Sequence, residues 1–495
     1  MSKLEIPESW AEAPIDTICE VNPRNRDLDD QLKVGFVPMA SVSEEGYVKN
    51  HEVREWSLVK KGFTHFADND VIFAKITPCM ENKKSAIIHG MPNGVGCGST
   101  EFHVLRPKGH LTPQYILGFL RQDSFVAKAE NNMTGSAGQK RVPTTWLAKQ
   151  QMPVPPLGEQ KRIVAKIEST QEKIKTIEQS VTKAEELIGK YREALLQKAF
   201  RGELVPQDPD DEPASKLLER IRADRAKQND GKKKKKDDLP PIKTEEIPFE
   251  IPNSWEWVRL GELGELARGK SKHRPRNDPK LFGGKYPFIQ TGDVAAAKGG
   301  IIYSYEQTLS EFGLKQSRLF PKETLCITIA ANIADTAVLG IDCAFPDSVV
   351  GFTPLVDDSV ARYLVKFVQF YLQATKEEID RKAHGAAQKN INLEFLESLL
   401  IPLPSTSCLV KTVKAIEEGV SGVGTLDSTL KQIKDDCNKV SSSVLGSAFY
   451  GRLVPQIPSE GTGHELLEKI KSQSSVIDNQ SESKPKPKPK KRVKA

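Results

Sequence analysis

The run Gly264-Glu265-Leu266-Ala267-Arg268-Gly269-Lys270-Ser271 has the spacing of a phosphate-cradling loop, with four residues between a glycine and Gly-Lys-Ser. Such a loop works when a buried strand precedes it and a helix follows, so that backbone amides converge on phosphate at the helix N-terminus. Here the next residues are Lys272-His273-Arg274-Pro275-Arg276-Asn277-Asp278-Pro279, and two prolines among polar side chains oppose an immediate helix. An ATPase or nuclease built on Gly264 to Ser271 is therefore the alternative reading. The preferred one is a basic loop. Arg268, Lys270, Lys272, Arg274 and Arg276 put five cations into nine residues. A solvated loop is the bland account of them. A DNA-facing finger is the sharper one, because arginine can hold guanine O6 and N7 with two hydrogen bonds and lysine can hold phosphate.

Three further segments carry the same chemistry. Phe73 to Lys84 runs from an apolar strand into a basic loop holding Lys75, Lys83 and Lys84. Gly135 to Arg141 and Gly385 to Asn390 are matched loops of small residues ending in Gln139, Lys140, Arg141 and in Gln388, Lys389, Asn390. Small residues let a backbone approach another surface closely, so each loop is either a DNA contact or a tight junction.

No catalytic centre declares itself. There is no Asn/Asp-Pro-Pro-Tyr/Phe run to hold a target amine, and Gly94 to Gly98 reads as a tight turn. The eight histidines include no metal-binding pair at helical spacing. The seven cysteines (Cys19, Cys79, Cys97, Cys326, Cys343, Cys408, Cys437) are scattered without a C-x-x-C pair, which argues against a disulfide framework or structural zinc. The expectation is no catalytic residue, no metal and no cofactor in this chain.

The candidate segments belong to a duplicated frame. Phe200-Arg201-Gly202-Glu203-Leu204-Val205-Pro206-Gln207 returns as Phe449-Tyr450-Gly451-Arg452-Leu453-Val454-Pro455-Gln456, an offset of 249 in a chain of 495 residues. Ile6-Pro7-Glu8-Ser9-Trp10 returns as Ile251-Pro252-Asn253-Ser254-Trp255. Between these anchors the halves diverge. Each half has short apolar runs (Val34 to Met39, Val71 to Ile76, Ala86 to His89; Pro287 to Ile289, Thr324 to Ile329, Ala337 to Ile341) and ends in one helical stretch, Gln114 to Ala129 and Val360 to Arg381. A 4-3-4-3 apolar ladder follows each domain, from Ile163 to Leu195 and again from Ile416 to Val444. Such a ladder needs a facing partner, and the nearest is the other copy. The expected fold is α/β: two strand-rich mixed domains joined by two long antiparallel coiled-coil helices with internal pseudo-twofold symmetry. Each helix leads through Phe200 and Leu204, or Phe449 and Leu453, into a short amphipathic segment with Leu217, Leu218 and Ile221, or Leu466, Leu467 and Ile470. With no assigned partner, these ten residues are the expected surface for other subunits.

A net charge of +6 and pI near 8.7 permit a polyanionic partner. No apolar run has the length of a membrane span, and a cytoplasmic chain is expected. The basic runs Lys232 to Lys236 and Lys484 to Lys494 read as a linker and a tail.

The paired Ile-Pro-x-Ser-Trp openings, Phe73-Ala74-Lys75-Ile76-Thr77-Pro78-Cys79-Met80-Glu81-Asn82, Pro155-Pro156-Leu157-Gly158-Glu159-Gln160 and the duplicated Phe-x-Gly-x-Leu-Val-Pro-Gln together resemble the specificity subunit of type I restriction-modification systems. The second copy departs at Ser405 to Cys408, where Pro-Leu-x-Glu-Gln is replaced by Ser-Thr-Ser-Cys. The resemblance implies target recognition domains at 1–156 and 251–404, helices at 157–201 and 405–450, and connectors at 202–250 and 451–495. It implies a subunit that reads a gapped double-stranded DNA target and joins two methylation subunits and up to two restriction motor subunits. S-adenosylmethionine, ATP and Mg are then expected on those partners.

Overall fold

The structure, a computed structural model, describes residues 6–109, 111–136, 138–228, 239–330, 332–356, 358–385 and 391–482. The chain forms two compact units, one made of residues 1–182 with 431–495 and the other of 183–430. The first therefore takes both ends of the chain.

In the first unit one four-stranded sheet has the order Cys19–Val21, Phe102–Pro107, Val71–Ala74, Ser85–Ile87. The other has Glu52–Glu55, Lys33–Val37, Val95–Gly98, Thr64–Ala67. Alternate side chains of a strand face opposite sides. Val71 and Phe73 accordingly pack with Tyr115, Phe119 and Ile167, whereas Ile72 packs with Val37, Phe66 and Val104. Apolar surface on both faces explains why this strand reads as an unbroken hydrophobic run.

The second unit repeats the logic with different sheets. Five strands run in the order Gly264–Arg268, Val349–Pro354, Leu325–Thr328, Thr336–Leu339, Ile301–Ile302, and four in the order Gln307–Leu309, Phe282–Phe288, Cys343–Ala344, Leu319–Phe320. Leu325 and Ile327 face one core and Cys326 the other.

Each stretch expected as one helix is two. Pro113–Leu120 and Asp123–Asn131 are separated where Gln122 turns extended (φ −63°, ψ 138°). Arg121, at that break, donates to the carbonyls of Lys83 (2.9 Å) and Glu44 (2.7 Å). Asp358–Ala374 and Lys376–Gly385 divide at Thr375.

Both long helices form, Leu157–Phe200 and Thr406–Phe449, 44 residues each. In the second unit their segments run antiparallel: Gly419 lies against Leu195, and farther along Arg192 pairs with Asp427 at 2.5 Å. The ladder is only partly covered. Ile163, Val181, Leu195 and Ile416 are buried, but Ile177, Tyr191, Leu426 and Val440 are exposed by 42–54%. Burial is deepest where a helix also meets its globular domain, because a two-helix seam alone is narrow.

The repeated spacing of the frame serves two equivalent joints. A two-stranded ribbon pairs Ala11–Pro14 with Gln151–Val154 in one unit and Glu256–Arg259 with Leu400–Leu403 in the other. Gly451 (φ +67°) lies so close to Pro7 that a Cβ there would come within 2.2 Å, and Gly202 (φ +73°) lies the same way against Pro252. Glycine is needed for both the left-handed backbone and the close approach. Trp10 Nε1 donates to Glu159 (3.0 Å), which also accepts from Gln456 (2.6 Å). Where Cys408 stands instead of that glutamate, Trp255 Nε1 donates directly to Gln207 (3.0 Å), and the Gln207 amide reaches the Cys408 sulfur at 3.6 Å. The departure at Ser405 to Cys408 thus rewires one contact and leaves the joint in place.

Candidate nucleic-acid interface

In the first unit the interface grows from the exit of the central strand Val71–Ala74. The Lys75 N–H donates to the Glu101 carbonyl (2.9 Å), and the Lys75 carbonyl accepts from Val142 N–H (2.9 Å). One step on, Thr77 N–H donates to the Lys140 carbonyl (3.1 Å). Three segments distant in sequence are thereby laced together. Fully buried Met80 anchors the far side of the Lys75 to Lys84 loop.

The expected cations divide into two groups. Arg141 grips Glu101 with Nε and Nη2, both at 2.9 Å, and its Nη1 donates to the Gln139 carbonyl (2.9 Å). That guanidinium holds the Glu101 carboxyl below the ordinary carboxylate range, with Lys75 and His103 adding to the effect and burial opposing it. Lys83 is ion-paired to Asp123. Arg141 and Lys83 thus shape the loops. The side chains of Lys75, Lys84, Gln139 and Lys140 make no hydrogen bond or ion pair among the described residues, and Gln139 and Lys140 are exposed.

Behind this surface lies His103, 1% exposed. Its Nε2–H donates to the Val142 carbonyl (2.8 Å), and Nδ1 accepts from the Asn22 amide (3.3 Å). Burial lowers its pKa from 6.5 to about 4, so the ring is neutral at pH 7.

In the second unit the basic loop follows Gly264–Arg268, which is an edge strand paired antiparallel with Val349–Pro354. No helix begins after Lys270-Ser271; the chain continues irregularly to a short turn at Pro279–Leu281. The phosphate-loop alternative is therefore corrected: no helix N-terminus stands behind the motif. Its glycines have another purpose. A Cβ on Gly264 would meet the Thr353 carbonyl at 2.4 Å, and one on Gly269 the Phe345 carbonyl at 2.1 Å.

The arginines of this loop bind protein. Arg268 Nε donates to the Asp347 carbonyl (3.0 Å), Arg276 pairs with the Asp347 carboxylate (2.9 Å), and Arg274 donates to the carbonyls of Ser271 (2.6 Å) and His273 (2.9 Å). Lys270 and Lys272 are exposed and have no side-chain partner among the described residues. Gln388, Lys389 and Asn390 lie outside the described residues. Sequence reasoning missed Glu101 and Asp347, the acids that organise these loops. Each sits 40 or more positions from its arginine, so no local pattern marks it.

The expected subunit surface is revised. Leu217, Leu218 and Ile221 are 4%, 5% and 0% exposed, packed with Trp255, Val258 and Leu260. Leu466, Leu467 and Ile470 are buried with Trp10, Ala11 and Ile15. Phe200 meets Phe367 and Tyr371, and Phe449 meets Tyr115 and Phe119. Leu204 and Leu453 pack against the same cores, half-buried. The apolar faces that looked unpartnered are covered from within, each connector closing the domain of the other repeat.

Among the described residues no cluster of His, Cys, Asp and Glu could hold a metal ion, and no helix is long and apolar enough to cross a membrane. All seven cysteines are free thiols.

The family profile of the type I restriction modification DNA specificity domain matches residues 7–186 and 252–418. The chain is 31% identical over 471 residues to the EcoEI specificity subunit of Escherichia coli, covering 84% of this chain and 78% of that one. It is 34% identical over 517 residues to the StySPI specificity subunit of Salmonella potsdam, covering 96% and 98%. Among solved structures it resembles a chain from work on complex assembly and conformational transition of the type I R-M system, with TM-score 0.69 at 18% identity over 91% of this chain and all of that one. The HsdS subunit from Thermoanaerobacter tengcongensis superposes with TM-score 0.58 at 18% identity, over 90% and 98% of the two chains. The chain belongs to the type I restriction-modification DNA specificity family, as a non-catalytic DNA-recognition subunit.

Proposed function

We propose that this specificity subunit reads a bipartite, gapped double-stranded DNA target, one half with each globular domain. The observation that carries the reading is the contrast between frame and domains. The joints repeat, with their opening residues at an offset of 245 and the second strand, glycine and connector at 249, while the domains differ in strand number, loop composition and free cations. A repeated frame with unlike readers suits an asymmetric target. Lys75, Lys84, Gln139 and Lys140 in one domain and Lys270 and Lys272 in the other are the side chains available for DNA. Arg141, Lys83, Arg268, Arg274 and Arg276 act by shaping the loops that present them.

The subunit would assemble with two methylation subunits and up to two restriction motor subunits, which bring S-adenosylmethionine, ATP and Mg. The ten residues from Phe200 to Ile221 and Phe449 to Ile470 named above support that assembly indirectly, by closing each joint. Base-resolved methylation mapping in a host expressing the system tests the reading. One gapped, asymmetric adenine-methylated motif is expected, and exchange of residues 256–387 with those of a relative should alter one half alone. A change in both halves would refute one domain per half-site.

A further inference from the structure

Beside the basic loop of the second unit lies a cleft of about 210 Å³, walled by apolar residues including Phe282, Phe288 and Leu309 and rimmed by Lys270 and Lys272. Its charges are not all free. His273 is held by Asp278 at 2.8 Å and Arg276 by Asp347 at 2.9 Å, so the uncompensated charge at the rim is that of the two lysines. No carboxylate lines the cleft. Ser317 is among the residues of the cleft wall, and its Oγ is buried without a hydrogen-bond partner among the described residues.

Shape decides what part of DNA could enter. Base edges lie at the floor of the grooves and are reached by protruding side chains, whereas the sugar–phosphate backbone is the convex part of the duplex. A concave site rimmed by lysine matches the backbone. Residue type points the same way, since arginine supplies the paired donors that suit guanine and lysine acts on phosphate as a point charge. All three arginines of this loop are held by protein carbonyls or Asp347.

We propose that the cleft is a seat for a backbone phosphodiester of the half-site bound by the second domain. Lys270 and Lys272 hold the phosphate oxygens, and Arg268, Arg274 and Arg276 are positioning residues that fix the loop. The cleft sets register on the duplex and reads no base. This rests on the DNA-recognition reading above and divides its cations into those that hold and those that shape.

The test compares the full chain in its methylating complex with its K270A and K272A variants. DNA affinity is measured from about 50 to 200 mM salt, and the methylated motif is mapped in the host. Each lost phosphate contact should lower the slope of log affinity against log salt by about 0.9, so that the gap between parent and variant narrows about threefold across that range. Affinity should fall equally for target and non-target duplexes, with the motif unchanged in both halves. The conservative K270R and K272R variants should retain the slope. An unchanged slope in both alanine variants would remove the phosphate seat, and a motif relaxed at one base of the second half would make these lysines base readers. If the parent complex itself yields no bipartite motif, the failure lies with the function proposed above.

Discussion

Acid should loosen the first unit before the second, and His103 is the reason. The folded domain lowers this imidazole from 6.5 to about 4 because protonation would place a charge in a site 1% exposed. Between those values the unfolded chain binds the proton and the folded one does not, so stability is complete above pH 6.5 and is lost as pH falls toward 4. At about 1.36 kcal/mol per pH unit, the loss approaches about 3 kcal/mol, a large part of ordinary domain stability. Asp70 has the opposite sign, since burial raises its carboxyl despite Arg106 beside it, and a comparison with His103→Gln separates the two. The position matters for function. Protonation would keep Nε2–H on the Val142 carbonyl but make Nδ1 a second donor facing the Asn22 amide, whose Oδ1 accepts from Val104 N–H, so the disturbance enters the Phe102–Pro107 strand beside the Lys75 segment. Hydrogen exchange of the Phe102–Pro107 amides as a function of pH is the assay. The parent should lose protection between pH 6.5 and 4 more steeply than His103→Gln, and parallel profiles would refute the reasoning.

Two further outcomes follow from the same packing. Ile221→Ala should cost about 2–5 kcal/mol by opening a cavity in the second unit, and Leu217→Asp more by burying an unpaired carboxylate. Urea unfolding followed by exchange in Leu325–Thr328 measures both; a Leu217→Asp protein that stays as stable as the parent yet fails to assemble would restore a docking role. Glu101→Gln should free Arg141 and disorder the Gly135 to Lys140 loop, changing the first half of the methylated motif and leaving the second. The exchanged pair Glu101→Arg with Arg141→Glu should recover it, and an unaltered motif in Glu101→Gln would dismiss the staple.

The amino-acid sequence alone determined the duplication, the two long helices, the strand-rich character of each half and the family. These depend on periodicity and on repeated local residue patterns, which are written in order along the chain. The strands expected at Val71 to Ile76 and Thr324 to Ile329 are there as Val71–Ala74 and Leu325–Thr328. Only the tertiary structure decided which domain each connector completes: Leu217 serves the second unit and Leu466 the first, so amphipathic segments that looked open are interior. It also decided which cations are free. Arg141 and Arg276 look like ligand-binding residues until Glu101 and Asp347 arrive from distant positions, and the phosphate-loop spacing at Gly264 to Ser271 turned out to be an edge strand with glycines placed for close packing. Hydrogen bonding and burial depend on neighbours in space, and for these loops the decisive neighbours come from 40 to 79 residues away.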